Sequence, residues 1–164
     1  MVAIRKSNEE GHRRKFLVVV DDTPECDRAI VYAAKRAART SGIVTLLFVV
    51  APGDFQHWLG VEDIMRAEAT EEAEATLAKA AERVRSVAKI EPETVIREGN
   101  KAEAVLELIE ADTDIAILVL AAGTSSEGPG PLVSSIAGKS AGNFPIPVTI
   151  VPGNLDDDSI AALA

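Results

Sequence analysis

The sequence predicts an α/β domain built on an open parallel sheet, and three observations carry that expectation. Short apolar runs recur along the chain and alternate with longer stretches of helical spacing. Each connection between successive runs is long enough for the right-handed crossover that parallel strands require. The 164 residues are 47% hydrophobic but only 4% aromatic. That size suits one well-cored domain, and an aliphatic core poor in rings suits strands buried on both faces.

The elements follow in order. Residues 1–14 are polar and read as a flexible tail, with Arg13, Arg14 and Lys15 as a solvated basic cluster before the first strand. Phe16 to Val20 is that strand. Asp21, Asp22 and Thr23 close it, and either Asp22 or Thr23 is expected to cap a helix begun by Pro24. Cys26, Ile30, Ala33, Ala34 and Ala37 form the inner stripe of this helix, while Arg28, Lys35, Arg36 and Arg39 include its outer face. Cys26 reads as core rather than nucleophile, because no histidine stands near it in sequence. Gly42 ends the helix, and Ile43 to Val50 is the second strand.

The loop APGDFQHWLG, residues 51–60, holds His57 and the single tryptophan, Trp58. Either Phe55 and Trp58 fold it back over a neighbouring helix or it forms a lid over a ligand. A long helix is expected over 61–88, with Ile64, Met65, Leu77, Ala81, Val84 and Ala88 as its apolar stripe. Its acidic run, Glu68, Glu71, Glu72 and Glu74, reads as a solvated face rather than a metal site. Pro92 marks a break before a short third strand, Thr94 to Ile96. Asn100 with Glu103 resembles a capping box, after which Ala102, Val105, Leu106 and Ile109 face inward.

Ile115 to Ala122 is an unbroken apolar run, the fourth strand. Gly123, Gly128, Pro129, Gly130 and Pro131 follow, and Pro131 suits the first turn of a helix. Leu132, Val133, Ile136, Ala137, Ser140 and Ala141 continue that helix until Gly142-Asn143 stops it. Pro147 to Val151 is the last strand, and residues 153–164 read as an acidic tail. Strand, glycine loop, helix and strand make half of a mononucleotide-binding unit, with the loop at the carboxyl end of the first strand.

Charge and cysteine content narrow the functions. A net charge of -9 offers no positive field to a nucleic acid. No apolar run approaches the roughly 20 residues needed to span a bilayer, so no membrane partner is expected. One cysteine and no apolar leader point to a cytoplasmic protein. With no nucleophile–base pair and no metal cluster, an enzyme is not expected.

Three blocks together resemble the universal stress protein family: FLVVVDDTPECDRAI, VIREGNKAEAVLELIEADTDIAILVLAAG and IPVTIVPG. The resemblance covers residues 15–152. It implies a Rossmann-like sheet ordered 3-2-1-4-5 with helices on both faces, akin to adenine-nucleotide α-hydrolase folds. It also implies a stress-response role and a homodimer formed through the last strand, residues 147–151. Nucleotide-binding members show G-x-x-G, nine residues, then G-[ST] after the fourth strand. Counted onto this sequence, the glycines fall on Ala121, Thr124 and Ser134, and only Ser135 keeps its type. Gly123 is the alternative start, which leaves the loop two residues short. Asp21 resembles the family's ribose- or base-contacting acid, and Val49 the position on which its base packs. The cofactor implied is ATP, with magnesium only as its companion. Two functions stay open: a regulatory domain binding an adenine nucleotide or another anion, and a nucleotide-free dimeric module read by an unknown protein partner; a nucleotide hydrolase, at most a weak one, ranks below both.

Overall fold

The computed structural model describes residues 3–52 and 61–164, so Phe55, His57 and Trp58 of the expected lid lie outside the described residues. The apolar runs form five parallel strands: β1 (Lys15–Val19), β2 (Ile43–Val50), β3 (Glu93–Glu98), β4 (Ile115–Ala122) and β5 (Val148–Pro152). They lie in the order β3-β2-β1-β4-β5, as the resemblance implies. The helices among the described residues are α1 (Cys26–Arg39), α2 (Val61–Ala88), α3 (Lys101–Ala111), α4 (Pro131–Ala137) and α5 (Asp157–Leu163). None of them is long and apolar enough to cross a membrane.

Alternation along the strands serves two cores rather than a core and solvent. Phe16, Val18 and Val20 pack with α1, α2 and Ile160 of α5, while Leu17 and Val19 pack with α3 and α4. Burying one such aliphatic side chain fully stabilises the fold by about 1.5–3 kcal/mol. Opposite β1, strand β4 carries a bulge: Lys15 pairs with Ile115, but Phe16 pairs with Ile117. The extra residue lets both Ile115 and Leu118 reach the core under α3, although their spacing in a regular strand would send them to opposite faces.

Several boundaries depart from the sequence expectation. β5 starts at Val148, because Pro147 has no N–H for the ladder and contributes only its carbonyl, which accepts from Leu118 N–H at 3.0 Å. Gly138 ends α4 early, and a 3-10 turn at Ala141–Asn143 replaces the predicted last helical turn. In α3 the buried residues are Ala104, Val105, Leu108 and Ile109, so Leu106 faces outward, 43% exposed. The expected Asn100 cap is present, its side chain accepting from Glu103 N–H at 3.2 Å.

Both termini are more tightly held than their polar composition predicts. Arg5 Nη1 donates to the carbonyls of Ile109 (2.6 Å), Asp112 (3.2 Å) and Ile115 (3.3 Å), satisfying the C-terminal end of α3. Lys6 N–H donates to the Thr113 carbonyl at 2.9 Å, and Ser7 is buried. His12 Nδ1 lies 2.6 Å from Asp114 Oδ1. The basic cluster is likewise engaged: Arg13 donates to the Ser41 and Gly42 carbonyls, and Lys15 Nζ sits 2.8 Å from Asp112 and 3.0 Å from Glu93. Burial acts to lower the pKa of Lys15, but hydrogen bonds to Asp112 and Glu93 outweigh it and the net shift is upward.

At the other terminus, residues expected as an acidic tail form α5. Asp156 caps it by accepting from Ser159 N–H at 2.7 Å, and Ile160 is fully buried against α1. Arg28 and Arg39, assigned from sequence to an outer face, hold this helix. Arg28 reaches the Leu155 carbonyl (2.8 Å) and Asp157 (2.7 Å); Arg39 reaches the carbonyls of Ala161 (2.8 Å) and Ala164 (2.6 Å). Arg83 of α2 joins the network, 2.9 Å from Asp27 and 3.0 Å from Asp157.

Candidate functional site

Strand order reverses between β1 and β4, so the loops leaving these strands diverge and open a crevice at their carboxyl ends. Asp21 stands just beyond β1. Its Oδ1 accepts the Thr23 backbone N–H at 2.9 Å and also the Thr23 hydroxyl, an Asx turn that bends the chain away from the sheet. That turn displaces the start of α1 to Cys26, after Glu25, whose side chain makes no capping bond. The predicted cap by Asp22 or Thr23 is therefore absent.

The second oxygen of Asp21, Oδ2, faces Lys101 Nζ at 4.0 Å. Lys101 is the first residue of α3, where the helix macrodipole disfavours a cation. The Asp21 carboxylate offsets that cost from the other wall of the crevice. Both residues line a recess of about 140 Å³, its apolar lining supplied by Val19, Leu120, Ala121, Leu132 and Val133. A wider depression of about 760 Å³ adjoins it over the loop after β4, where Gly123, Thr124 and Ser134 meet Glu25, Arg28 and Glu127.

The sequence-derived candidates thus divide. Asp21 and Ala121 line the recess, and Gly123, Thr124 and Ser134 line the depression. Val49 does neither: it is 6% exposed in the core beneath α3. Ser135 is turned about 100° around α4 from Ser134 and lines a separate groove with Asn100, Ala102 and Leu132. Among the described residues only Ser41 and Lys89 have positive φ without being glycine, so Ala121, Thr124 and Ser134 adopt conformations open to any residue. The loop's left-handed positions are instead Gly128 (φ 101°) and Gly130 (φ 111°).

Cys26 also reaches the recess, but its thiol lies 3.6 Å from the Val19 carbonyl, and burial pushes its pKa up to about 12. It stays neutral, as a core group does. Among the described residues no group of three or more His, Cys, Asp or Glu side chains is placed to hold a metal ion.

Sequence reasoning missed Lys101, Glu25 and Glu127. The first carried a readable signal, a lysine at the dipole-disfavoured end of a predicted helix. Glu25 carried none while the helix was taken to begin at Pro24.

Residues 12–152 match the sequence profile of the Universal stress protein family. Solved structures agree in fold. A universal stress protein from Lactobacillus plantarum superposes with a TM-score of 0.68 at 18% identity, covering 84% of this chain and 97% of that one. One from Arabidopsis thaliana, solved with AMP bound, gives 0.59 at 17% identity over 88% and 94% of the two chains. One from Archaeoglobus fulgidus, in complex with dAMP, gives 0.55 at 17% identity over 84% and 97%. No curated protein sequence matches at a significant level. The profile spans most of the chain and ends where β5 ends, and the sheet order is the one its three sequence blocks imply. This chain belongs to the universal stress protein family.

Proposed function

We propose that this chain is a non-enzymatic regulatory domain that binds an adenine nucleoside or nucleotide in the crevice between β1 and β4. One observation carries the reading: an acid and a cation, Asp21 and Lys101, stand 4.0 Å apart on the lining of an apolar recess at the topological switch point. Such a recess takes a flat heterocycle against Val19, Leu120 and Leu132, and a carboxylate at its rim accepts hydrogen bonds from ribose hydroxyls. Asp21 keeps one oxygen for the Thr23 turn, and its other, held only loosely by Lys101 at 4.0 Å, is the one a ligand would engage. Lys101 supplies a donor to a ring nitrogen or a ribose oxygen. The AMP and dAMP held by the two relatives support the same class of ligand here. A reducing, cytoplasmic setting suits the single buried thiol.

The same reading includes a homodimer through β5. This strand is an edge of the sheet, paired only with β4, and Ile150 on it is 39% exposed. A second copy of the strand would cover both. Ile150→Lys is expected to convert a dimer to a monomer in light scattering; a dimer that survives the change would put the seam elsewhere.

Calorimetric titration of AMP into nucleotide-stripped protein tests the site. Binding is expected in the wild type and at least about tenfold weaker in Asp21→Asn, which keeps the acceptor for Thr23 but loses the charge. Equal affinity in the two proteins would remove Asp21 from the site. No heat with either AMP or adenosine would leave an interaction module that works without a nucleotide.

A further inference from the structure

We infer that the crevice selects adenine nucleosides carrying at most one phosphate and discriminates against ATP, with Glu25 and Glu127 as the discriminating residues. The inference rests on the nucleotide-binding reading of the crevice and concerns the half of it where a phosphate chain would run.

A phosphate cradle needs free backbone N–H groups and a positive field. The loop after β4 commits several of its amides to itself and borders a depression lined by acids. Gly123 N–H donates to the Pro129 carbonyl at 3.0 Å, Gly128 N–H to Ser125 at 3.1 Å, and Ser134 N–H to Gly130 at 3.0 Å. Glu127 N–H donates to Ser125 Oγ at 3.3 Å, and Gly153 N–H to Ala122 at 2.9 Å. Three amides of the loop, those of Gly123, Glu127 and Gly128, are thus turned inward onto the loop itself.

The charges point the same way. Glu25 hangs from the turn before α1 across the depression, its carboxylate against the Cα of Gly123; a Cβ built there would stand 3.0 Å from Glu25 Oε1. Gly123, the first of the loop's three glycines, therefore has its open face against a carboxylate. Glu127 adds a second acid on the opposite rim. Arg28 is the cation of the depression, and its guanidinium is already bound to Asp27, Asp157 and the Leu155 carbonyl. Lys101, the cation of the recess, faces Asp21. A triphosphate would bring several negative charges beside two carboxylates, where the one cation among the described residues lining the depression, Arg28, is already engaged. A nucleoside or a monophosphate leaves that space to water.

The test is titration of adenosine, AMP and ATP, the last with and without magnesium, into wild-type protein and Glu25→Gln/Glu127→Gln. Wild-type protein is expected to hold AMP or adenosine at least about tenfold more tightly than ATP, and the double variant to narrow that ratio by about tenfold. Should the double variant fail to fold by circular dichroism, Glu127→Gln on the exposed loop is expected to narrow the ratio by about threefold. Wild-type binding of ATP, with or without magnesium, as tight as that of AMP overturns the inference and leaves the crevice a nucleotide site. So does an unchanged ratio in a folded variant. Absence of binding by all three compounds removes the nucleotide reading itself.

Discussion

The two ends of the sheet are built from similar residues and use them differently. At the amino ends of the strands, Lys15 is held between Asp112 and Glu93, His12 meets Asp114, and Arg5 closes the last carbonyls of α3. At the carboxyl ends, Asp21 and Lys101 approach only to 4.0 Å, and among the described residues Glu25 and Glu127 form no ion pair on the rim of an open depression. Charges that close upon one another stabilise a fold; charges held apart around a recess are available to a ligand. On the proposed function, the difference gives structure to one end and recognition to the other.

The largest break in that comparison should come from Lys15→Ala. It strips two carboxylates of a cation whose side chain is only 14% exposed, and about 2 kcal/mol should be lost in urea unfolding. Arg5→Ala should cost about 1 kcal/mol, since it uncovers the end of α3 without emptying the core. At the recognition end, Lys101→Ala should move stability by no more than about 0.5 kcal/mol while weakening AMP binding. A loss of stability comparable with that of Lys15→Ala would make Lys101 a structural residue and erase the contrast.

Acid should sharpen the comparison, because a third set of charges fastens α5. For Asp27, burial acts to raise the pKa, but hydrogen bonds from Arg83 and Arg28 hold it below its ordinary 3.8. For Asp157, hydrogen bonds from Arg28 and then Arg83 do the same. Both folded-state values are depressed, so the stability these groups contribute is present above the unfolded value near pH 4 and is lost as pH falls through the folded ones. Unfolding free energy should therefore decline below about pH 4, and Asp157→Asn should flatten that decline. An identical slope in the variant would mean that α5 is held by Ile160 and the arginine–carbonyl bonds alone.

How far the sequence foretold this depends on the kind of interaction. Elements defined by apolar spacing were legible: β2 and β4 run over the expected residues, and α2 spans the expected stretch. Segments held by backbone hydrogen bonds were not. Residues 3–14 look like a tail in composition, yet their anchors are the carbonyls that receive Arg5 and Lys6, which no side-chain pattern advertises. In α5 the Asp156 cap was readable, but a seven-residue helix that opens on Asp157 and Asp158 resembles a solvated end. Of the candidate residues, Asp21 lines the recess, at the end of β1 where the family resemblance implied a contacting acid. Val49 was misplaced since its neighbours in β2 are buried whichever way it faces, and Ser135 because a linear motif does not report the 100° turn between adjacent helical residues. Lys101 and Glu25 come from other loops, and only the switch point brings them together.

The central claim, that recognition lies at the carboxyl end of the sheet and stability at the amino end, is most directly tested by nuclear magnetic resonance. AMP added to isotope-labelled protein should shift the amide signals of Asp21, Thr23, Lys101, Ala121 and Leu132 and leave those of Lys6, His12, Lys15 and Asp114 in place. Shifts gathered instead around Lys15 and Asp114, or scattered evenly over both ends, would contradict it.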